Sequence, residues 1–137
     1  MKCLVVDDSA ITRRILVNSL RASGYDPILE ATDGKQALQL CDPSVDIVLT
    51  DWNMPGMGGI EMVRNLRANP AFAKLPILLV TARSVRDDVV EAAKAGVDGY
   101  IVKPFTPETL RNKIEDVLRR KSGGDGEDGT PHDASPA

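Results

Sequence analysis

Five short apolar runs, Cys3–Val6, Ile28–Ala31, Ile47–Thr50, Ile77–Val80 and Tyr100–Val102, alternate with segments that carry helix start and stop signals. This alternation narrows the fold more than any other feature. Four of the runs are continuous rather than alternating in polarity, as expected of parallel strands covered on both faces. The second run is weaker and fits a place nearer a sheet edge. Ser9 is positioned to cap a helix that ends before Gly24, and Asp33 with Gln36 has capping-box spacing ahead of Ala37, Leu38 and Leu40. A third helix is predicted near Gly59 to Ala68, stopping before Asn69-Pro70. Ser84 opens a fourth that ends at Gly96, and Thr106-Pro107 opens a fifth, where Leu110, Ile114, Val117 and Leu118 share one face. A repeating β-α pattern with right-handed crossovers gives an α/β fold, an open parallel sheet with helices on both faces. Periodicity alone leaves the strand order open.

A chain of 137 residues suits one domain, expected over residues 1–121. Residues 122–137 are rich in Gly, Asp and Pro and carry four acidic and no basic side chains, so they are expected to form a disordered acidic tail. With a formal charge of −3 overall, residues 1–121 hold 17 basic and 16 acidic side chains and total +1. A nearly neutral folded part offers no electrostatic case for nucleic acid as the main partner. The tail is read as a screen for the basic end of the fifth helix, Arg119, Arg120 and Lys121.

Several chemistries drop out. Cys3 and Cys41 stand alone without a C-x-x-C pair, and the single histidine, His132, lies in the tail. The core therefore cannot build a Ser-His or Cys-His pair or a His-rich metal site. No apolar run is long enough to cross a bilayer, and the N-terminus lacks the pattern of a signal peptide. The expected location is the cytoplasm, without membrane attachment.

Ligands of an open α/β sheet bind just beyond the carboxyl ends of the strands. Those ends here carry Asp7 and Asp8, then Asp51, Thr81, and Lys103-Pro104. Clustered carboxylates repel one another and favour a hard divalent cation, Mg²⁺ suiting an open, water-retaining site. One carboxylate can attack phosphorus to give an acyl phosphate, while a lysine and a hydroxyl neutralise the transferred oxygens. Taken singly, each residue has an ordinary reading: an aspartate as a cap, Thr81 as a β-branched strand residue, Lys103 as a solvated charge. Their coincidence at four strand ends favours the shared site.

At these residues the chain resembles the response-regulator receiver family and, within it, the CheY-like single-domain members. The resemblance runs from about Lys2 to Arg120 and rests on Val6-Asp7-Asp8-Ser9, Asp51-Trp52-Asn53-Met54-Pro55-Gly56, Thr81-Ala82 and Tyr100-Ile101-Val102-Lys103-Pro104-Phe105. It implies a doubly wound, flavodoxin- and CheY-like sheet of five strands in the order 2-1-3-4-5, flanked by five helices. It implies that Asp51 accepts the phosphoryl group and that Asp8 and Asp51 ligate Mg²⁺ directly with the backbone carbonyl of Asn53. Asp7 would act through bound water, Lys103 would contact the phosphoryl group, and Thr81 would move to meet it. Tyr100 would be the aromatic switch, and Lys103-Pro104 a cis peptide. Asn53 and Arg83 occupy positions that influence the lifetime of the acyl phosphate, and Trp52 is placed to report on the site by fluorescence.

The expected function is that of a single-domain response regulator of a two-component system, switched by Mg²⁺-dependent phosphoryl transfer from a sensor histidine kinase. It would be a signalling receiver that assists its own phosphorylation and dephosphorylation rather than an enzyme. Output would pass through helix four, strand five and helix five, with Arg86, Lys94, Arg111 and Lys113 beside Tyr100, to a downstream protein such as a flagellar switch. A monomer is expected, dimerisation on activation being the alternative. A phosphorelay intermediate that passes the group to a histidine phosphotransfer protein is the competing reading. An aspartyl phosphohydrolase would need a carboxylate two residues after its nucleophile, where this chain has Asn53. A nucleotide or flavin domain would need a glycine-rich loop after strand one, which is missing.

Overall fold

Each apolar run forms a strand: β1 (Cys3–Val6), β2 (Ile28–Ala31), β3 (Ile47–Thr50), β4 (Ile77–Thr81) and β5 (Gly99–Val102). Between and after them lie α1 (Ala10–Ala22), α2 (Gly34–Leu40), α3 (Gly59–Ala68), α4 (Arg86–Ala95) and α5 (Pro107–Gly123). This computed structural model describes residues 1–52, 54, 56–82 and 86–123, with the side chains of 86–89, 122 and 123 left aside. All pairings are parallel and the order is β2-β1-β3-β4-β5, as the resemblance implied. β2 is an edge strand, in keeping with its weaker apolar run.

Side chains alternate between the two faces of the sheet and sort the interior into two cores. Leu4, Val6, Val48, Ile77 and Leu79 pack with Ala37 of α2, Ile60, Met62, Val63 and Leu66 of α3, and Ala92 and Ala95 of α4. Cys3, Val5, Ile47, Leu49, Leu78, Val80 and Ile101 pack with Leu16, Val17 and Leu20 of α1 and Leu110, Ile114 and Val117 of α5. Burying each large aliphatic side chain contributes about 1.5–3 kcal/mol. This double burial explains why β1, β3 and β4 read as continuous rather than alternating apolar runs.

The helix signals act much as their chemistry predicts. Ser9 Oγ accepts the Thr12 N–H at 3.2 Å, and Gly24 leaves α1 at φ +92°. Asp33 Oδ1 accepts the Gln36 N–H at 2.8 Å, but the Gln36 side chain accepts from the Thr32 N–H at 2.7 Å. That return bond lands one residue earlier than in a reciprocal capping box. Thr106 Oγ1 caps α5 by accepting the Thr109 N–H at 3.0 Å. The Ser84 cap lies outside the described residues. Two features went unanticipated: a 3₁₀ turn at Pro70–Phe72 and a cis Asp26–Pro27 peptide, beside the expected cis Lys103–Pro104.

α5 continues through Gly123, two residues past the expected end of the domain at 121, and residues 124–137 lie outside the described residues. Its basic end is already engaged. Arg120 Nη2 donates to the Asp98 carbonyl at 3.1 Å, Lys121 Nζ pairs with Asp98 Oδ1 at 3.1 Å, and Arg119 pairs with Asp116 at 3.0 Å. Asp98 also accepts from Arg67 Nη2 at 2.9 Å and from the Ile77 N–H at 2.8 Å, which ties α3, β4 and α5 together below the sheet. Among the described residues no helix is long and apolar enough to cross a membrane.

Candidate functional site

Three parallel strands, β1, β3 and β5, end at one rim and deliver Asp7 and Asp8, Asp51, and Lys103. The backbone around Asp51 is held from several sides. Its N–H donates to the Val6 carbonyl at 2.9 Å, and Thr50 Oγ1 donates to the Asp51 carbonyl at 3.0 Å. The Trp52 carbonyl accepts the Gly59 N–H at 2.9 Å, bringing the start of α3 against the acidic loop. A Cβ on Gly59 would lie 2.0 Å from the Asp51 carbonyl oxygen, so only glycine permits this approach. Across the rim, the Lys103 N–H donates to the Thr81 carbonyl at 2.8 Å.

One oxygen from each of Asp7, Asp8 and Asp51 lies within 4.8 Å of the others. Asp7 is fully buried; its Oδ1 accepts the Ser9 N–H at 2.8 Å and its Oδ2 faces Lys103 Nζ at 3.2 Å. Asp51 Oδ1 accepts the Trp52 N–H at 2.7 Å and lies 3.7 Å from Lys103 Nζ. Burial raises the Asp51 carboxyl above its ordinary range, Lys103 opposes that shift, and the neighbouring Asp7 and Asp8 charges reinforce it. Asp8 is exposed and opens, with Trp52, Met54 and Glu61, onto a cleft of about 480 Å³.

The donor set is all oxygen and carries three negative charges against one ammonium. Its spread is only slightly wider than the roughly 4.2 Å across an octahedral Mg²⁺ coordinated at about 2.1 Å. Asp7, Asp8 and Asp51 therefore fit a hard divalent cation, and the open side at Asp8 leaves room for water or a phosphoryl oxygen. Asn53, the expected carbonyl ligand, lies outside the described residues, as does Arg83.

Thr81 is the last residue of β4 and only 3% exposed, with Val102 as its partner across the ladder. Tyr100, opposite Leu79 on β5, is half-buried and packs on the core beneath α2, α3 and α4. Lys94 and Arg111 are exposed and Lys113 half-buried on α4 and α5, without ion-pair partners among the described residues, while the Arg86 side chain lies outside them. All five residues singled out at the strand ends thus reach one rim, and Asp7, Asp8, Asp51 and Lys103 form a single cluster.

Residues that the pattern reading passed over complete the surroundings. Arg13, on the inner turn of α1, donates through Nη1 to the Asp7 carbonyl at 2.8 Å and through Nε to Glu30 Oε1 at 3.0 Å. Its only trace in the sequence is an arginine five residues after the second aspartate. The sequence marks Gly59 as a helix start, and its role as the point of closest approach to Asp51 emerges only from the packing.

The response regulator receiver domain family matches residues 3–115. The chain is 49% identical over 124 residues to the chemotaxis protein CheY of Pseudomonas aeruginosa, covering 90% of this chain and all of that one. It is 48% identical over 121 residues to the chemotaxis protein CheY-3 of Vibrio cholerae, covering 88% and 93% of the two chains. Among solved structures, the chemotaxis protein CheY4 of Vibrio cholerae superposes with a TM-score of 0.78 at 35% identity, covering 85% of this chain and 97% of that one. Fold, rim chemistry and sequence likeness agree, and the chain belongs to the response regulator receiver domain family.

Proposed function

We propose that this chain works as the receiver of a CheY-like response regulator in which Asp51 takes a phosphoryl group from the phosphohistidine of a sensor histidine kinase. The observation that carries the proposal is the position of Lys103, whose ammonium stands 3.2 Å from Asp7 and 3.7 Å from Asp51 beside a third carboxylate. A purely structural pair would need one acid and one base. Two acids sharing one lysine, with a third acid beside them at an open rim, are arranged for a ligand that brings further positive charge.

Asp7, Asp8 and Asp51 would hold Mg²⁺, which when bound screens the phosphoryl oxygens from the carboxylates. An Asp51 carboxylate oxygen attacks phosphorus, the donor's P–N bond breaks, and its electron pair leaves with the imidazole. The product is an acyl phosphate on Asp51. Lys103 exchanges its contact with Asp51 for one with the new dianion, and the Thr81 hydroxyl donates to another phosphoryl oxygen. Those contacts favour one arrangement of the β4 end, and Tyr100 turns inward as Thr81 shifts, biasing the α4-β5-α5 face. The names of the relatives support chemotaxis-type output, in which that face, with Lys94, Arg111 and Lys113, meets a flagellar switch protein.

The test is incubation with labelled acetyl phosphate and Mg²⁺. Wild type should incorporate one alkali- and hydroxylamine-labile phosphoryl group, and neither Asp51→Asn nor wild type in excess chelator should incorporate any. Equal labelling of Asp51→Asn would overturn the assignment. Capture of a flagellar switch protein only in the presence of beryllofluoride would support the chemotaxis reading, and capture of a histidine phosphotransfer protein in its place would replace it.

A further inference from the structure

Of the three acids, Asp7 and Asp51 have their carboxylates anchored, by Ser9 and Lys103 in one case and by Trp52 in the other. The Asp8 carboxylate has no hydrogen-bond partner among the described residues. Its direction is set by the main chain, and the peptide that joins Asp7 to Asp8 is the unit that must be held. The Asp7 carbonyl of that peptide accepts from Arg13 Nη1 at 2.8 Å, and the preceding peptide is fixed where the Asp7 N–H donates to the Ala31 carbonyl at 3.0 Å. The guanidinium is itself held by Glu30 from the edge strand at 3.0 Å, with the arginine side chain only 18% exposed.

We infer that Arg13 and Glu30 form a positioning pair that aims the Asp8 carboxylate at the cation site through the Asp7–Asp8 peptide. The inference rests on the reading of Asp7, Asp8 and Asp51 as cation ligands. Arginine suits the task because its fork donates to two acceptors at once, one on each side of the α1–β2 crevice. A bare guanidinium this close to a divalent cation would weaken binding by repulsion. Glu30 offsets that charge, so the pair supplies direction with little net field. Partners that orient metal ligands in this way commonly change metal affinity by about 10- to 100-fold when removed.

Mg²⁺ titration followed by the fluorescence of Trp52, the single tryptophan of the chain, tests the pair without phosphoryl transfer. Arg13→Ala should bind Mg²⁺ about tenfold more weakly. Arg13→Lys, which keeps the charge and one donor to the Asp7 carbonyl, should recover a large part of that loss. Glu30→Gln, which leaves the guanidinium uncompensated, should weaken binding about threefold. A merely structural tie between α1 and β2 would lower the melting temperature and leave the Mg²⁺ affinity of the folded protein unchanged. Unchanged or tighter binding by folded Arg13→Ala overturns the inference. If that variant does not fold, wild-type affinity in Glu30→Gln overturns it instead. Absence of any saturable Mg²⁺ response in wild type would sink the underlying reading of the site, a result distinct from either.

Discussion

Lys103 Nζ stands 3.2 Å from Asp7 Oδ2, and this contact joins the end of β5 to the end of β1 across the intervening strands of the sheet. Asp7 is fully buried and Lys103 partly so. The pair therefore works in a medium where losing one partner is costly, yet close enough to solvent for an incoming cation or dianion to compete for both.

Lys103→Met should destabilise the metal-free protein by about 1–2 kcal/mol, less than a fully buried pair because the Ser9 N–H remains on Asp7 and water reaches the rim. The same change removes a positive charge from the cluster and should tighten Mg²⁺ binding a few-fold. Urea unfolding with and without Mg²⁺ measures both, and the stability deficit should shrink when the ion is present.

Asp51 gives a pH dependence of defined sign. Its carboxyl is raised above the ordinary 3.8, first by burial, with Lys103 opposing and Asp7 and Asp8 adding to the shift. Between the unfolded value and the raised folded value the native state holds more protons than the unfolded one, so metal-free stability from this group falls as pH rises through that window. Asp51→Asn should abolish this component and be more stable than wild type at neutral pH. Chemical denaturation across pH 3 to 8 in chelator would show it, and saturating Mg²⁺ should erase the difference.

Gly59→Ala places a methyl 2.0 Å from the Asp51 carbonyl oxygen, and neither backbone can yield without moving the acidic loop. The expected cost is about 2–3 kcal/mol. Labelling of the protein that still folds should slow as well, because the loop that shifts carries Asp51 itself. A control at Gly58, where a Cβ would lie at an ordinary 3.4 Å from the Trp52 carbonyl, should be much milder.

Asp98 is an acid held far from the rim cluster. It receives Arg67, Lys121 and the Ile77 N–H at the pole opposite the rim. Asp98→Ala should cost about 1–3 kcal/mol, chiefly by leaving the buried Ile77 N–H without its acceptor, while Arg67 loses its carboxylate but keeps the Gly96, Phe72 and Ala73 carbonyls. Acetyl phosphate labelling per folded molecule should remain unchanged, a combination opposite to that expected of Asp51→Asn.

Burial raises both thiols, Cys3 and Cys41, to about 11. At pH 8 the native protein should react with a thiol-specific disulfide reagent far more slowly than a free cysteine, since the thiolate is the reacting form. Two thiols should titrate promptly once urea unfolds the chain.

Strand positions were legible from the sequence nearly to the residue, because strands buried on both faces must be continuous apolar runs and their ends are marked by the first charged or capping residue. The helix caps at Ser9, Asp33 and Thr106 were legible for the same local reason. Convergence of the acids could be argued, since parallel strands must deliver their carboxyl ends to one rim. Tertiary structure alone decided the rest. Which rim residue faces which depends on ladder register and helix placement, so the sharing of Lys103 between Asp7 and Asp51 follows no local rule. The Arg13–Glu30 clamp joins residues 17 positions apart across two elements, and the Gly59 contact depends on how closely α3 approaches the Asp51 loop. The engagement of Arg120 and Lys121 by Asp98 likewise required the folded chain, whereas Asp116 meets Arg119 and Arg120 within one turn of α5. Local chemistry determined the elements, and long-range packing determined the electrostatics, because Coulomb and hydrogen-bond energies depend on distances that only the assembled core sets.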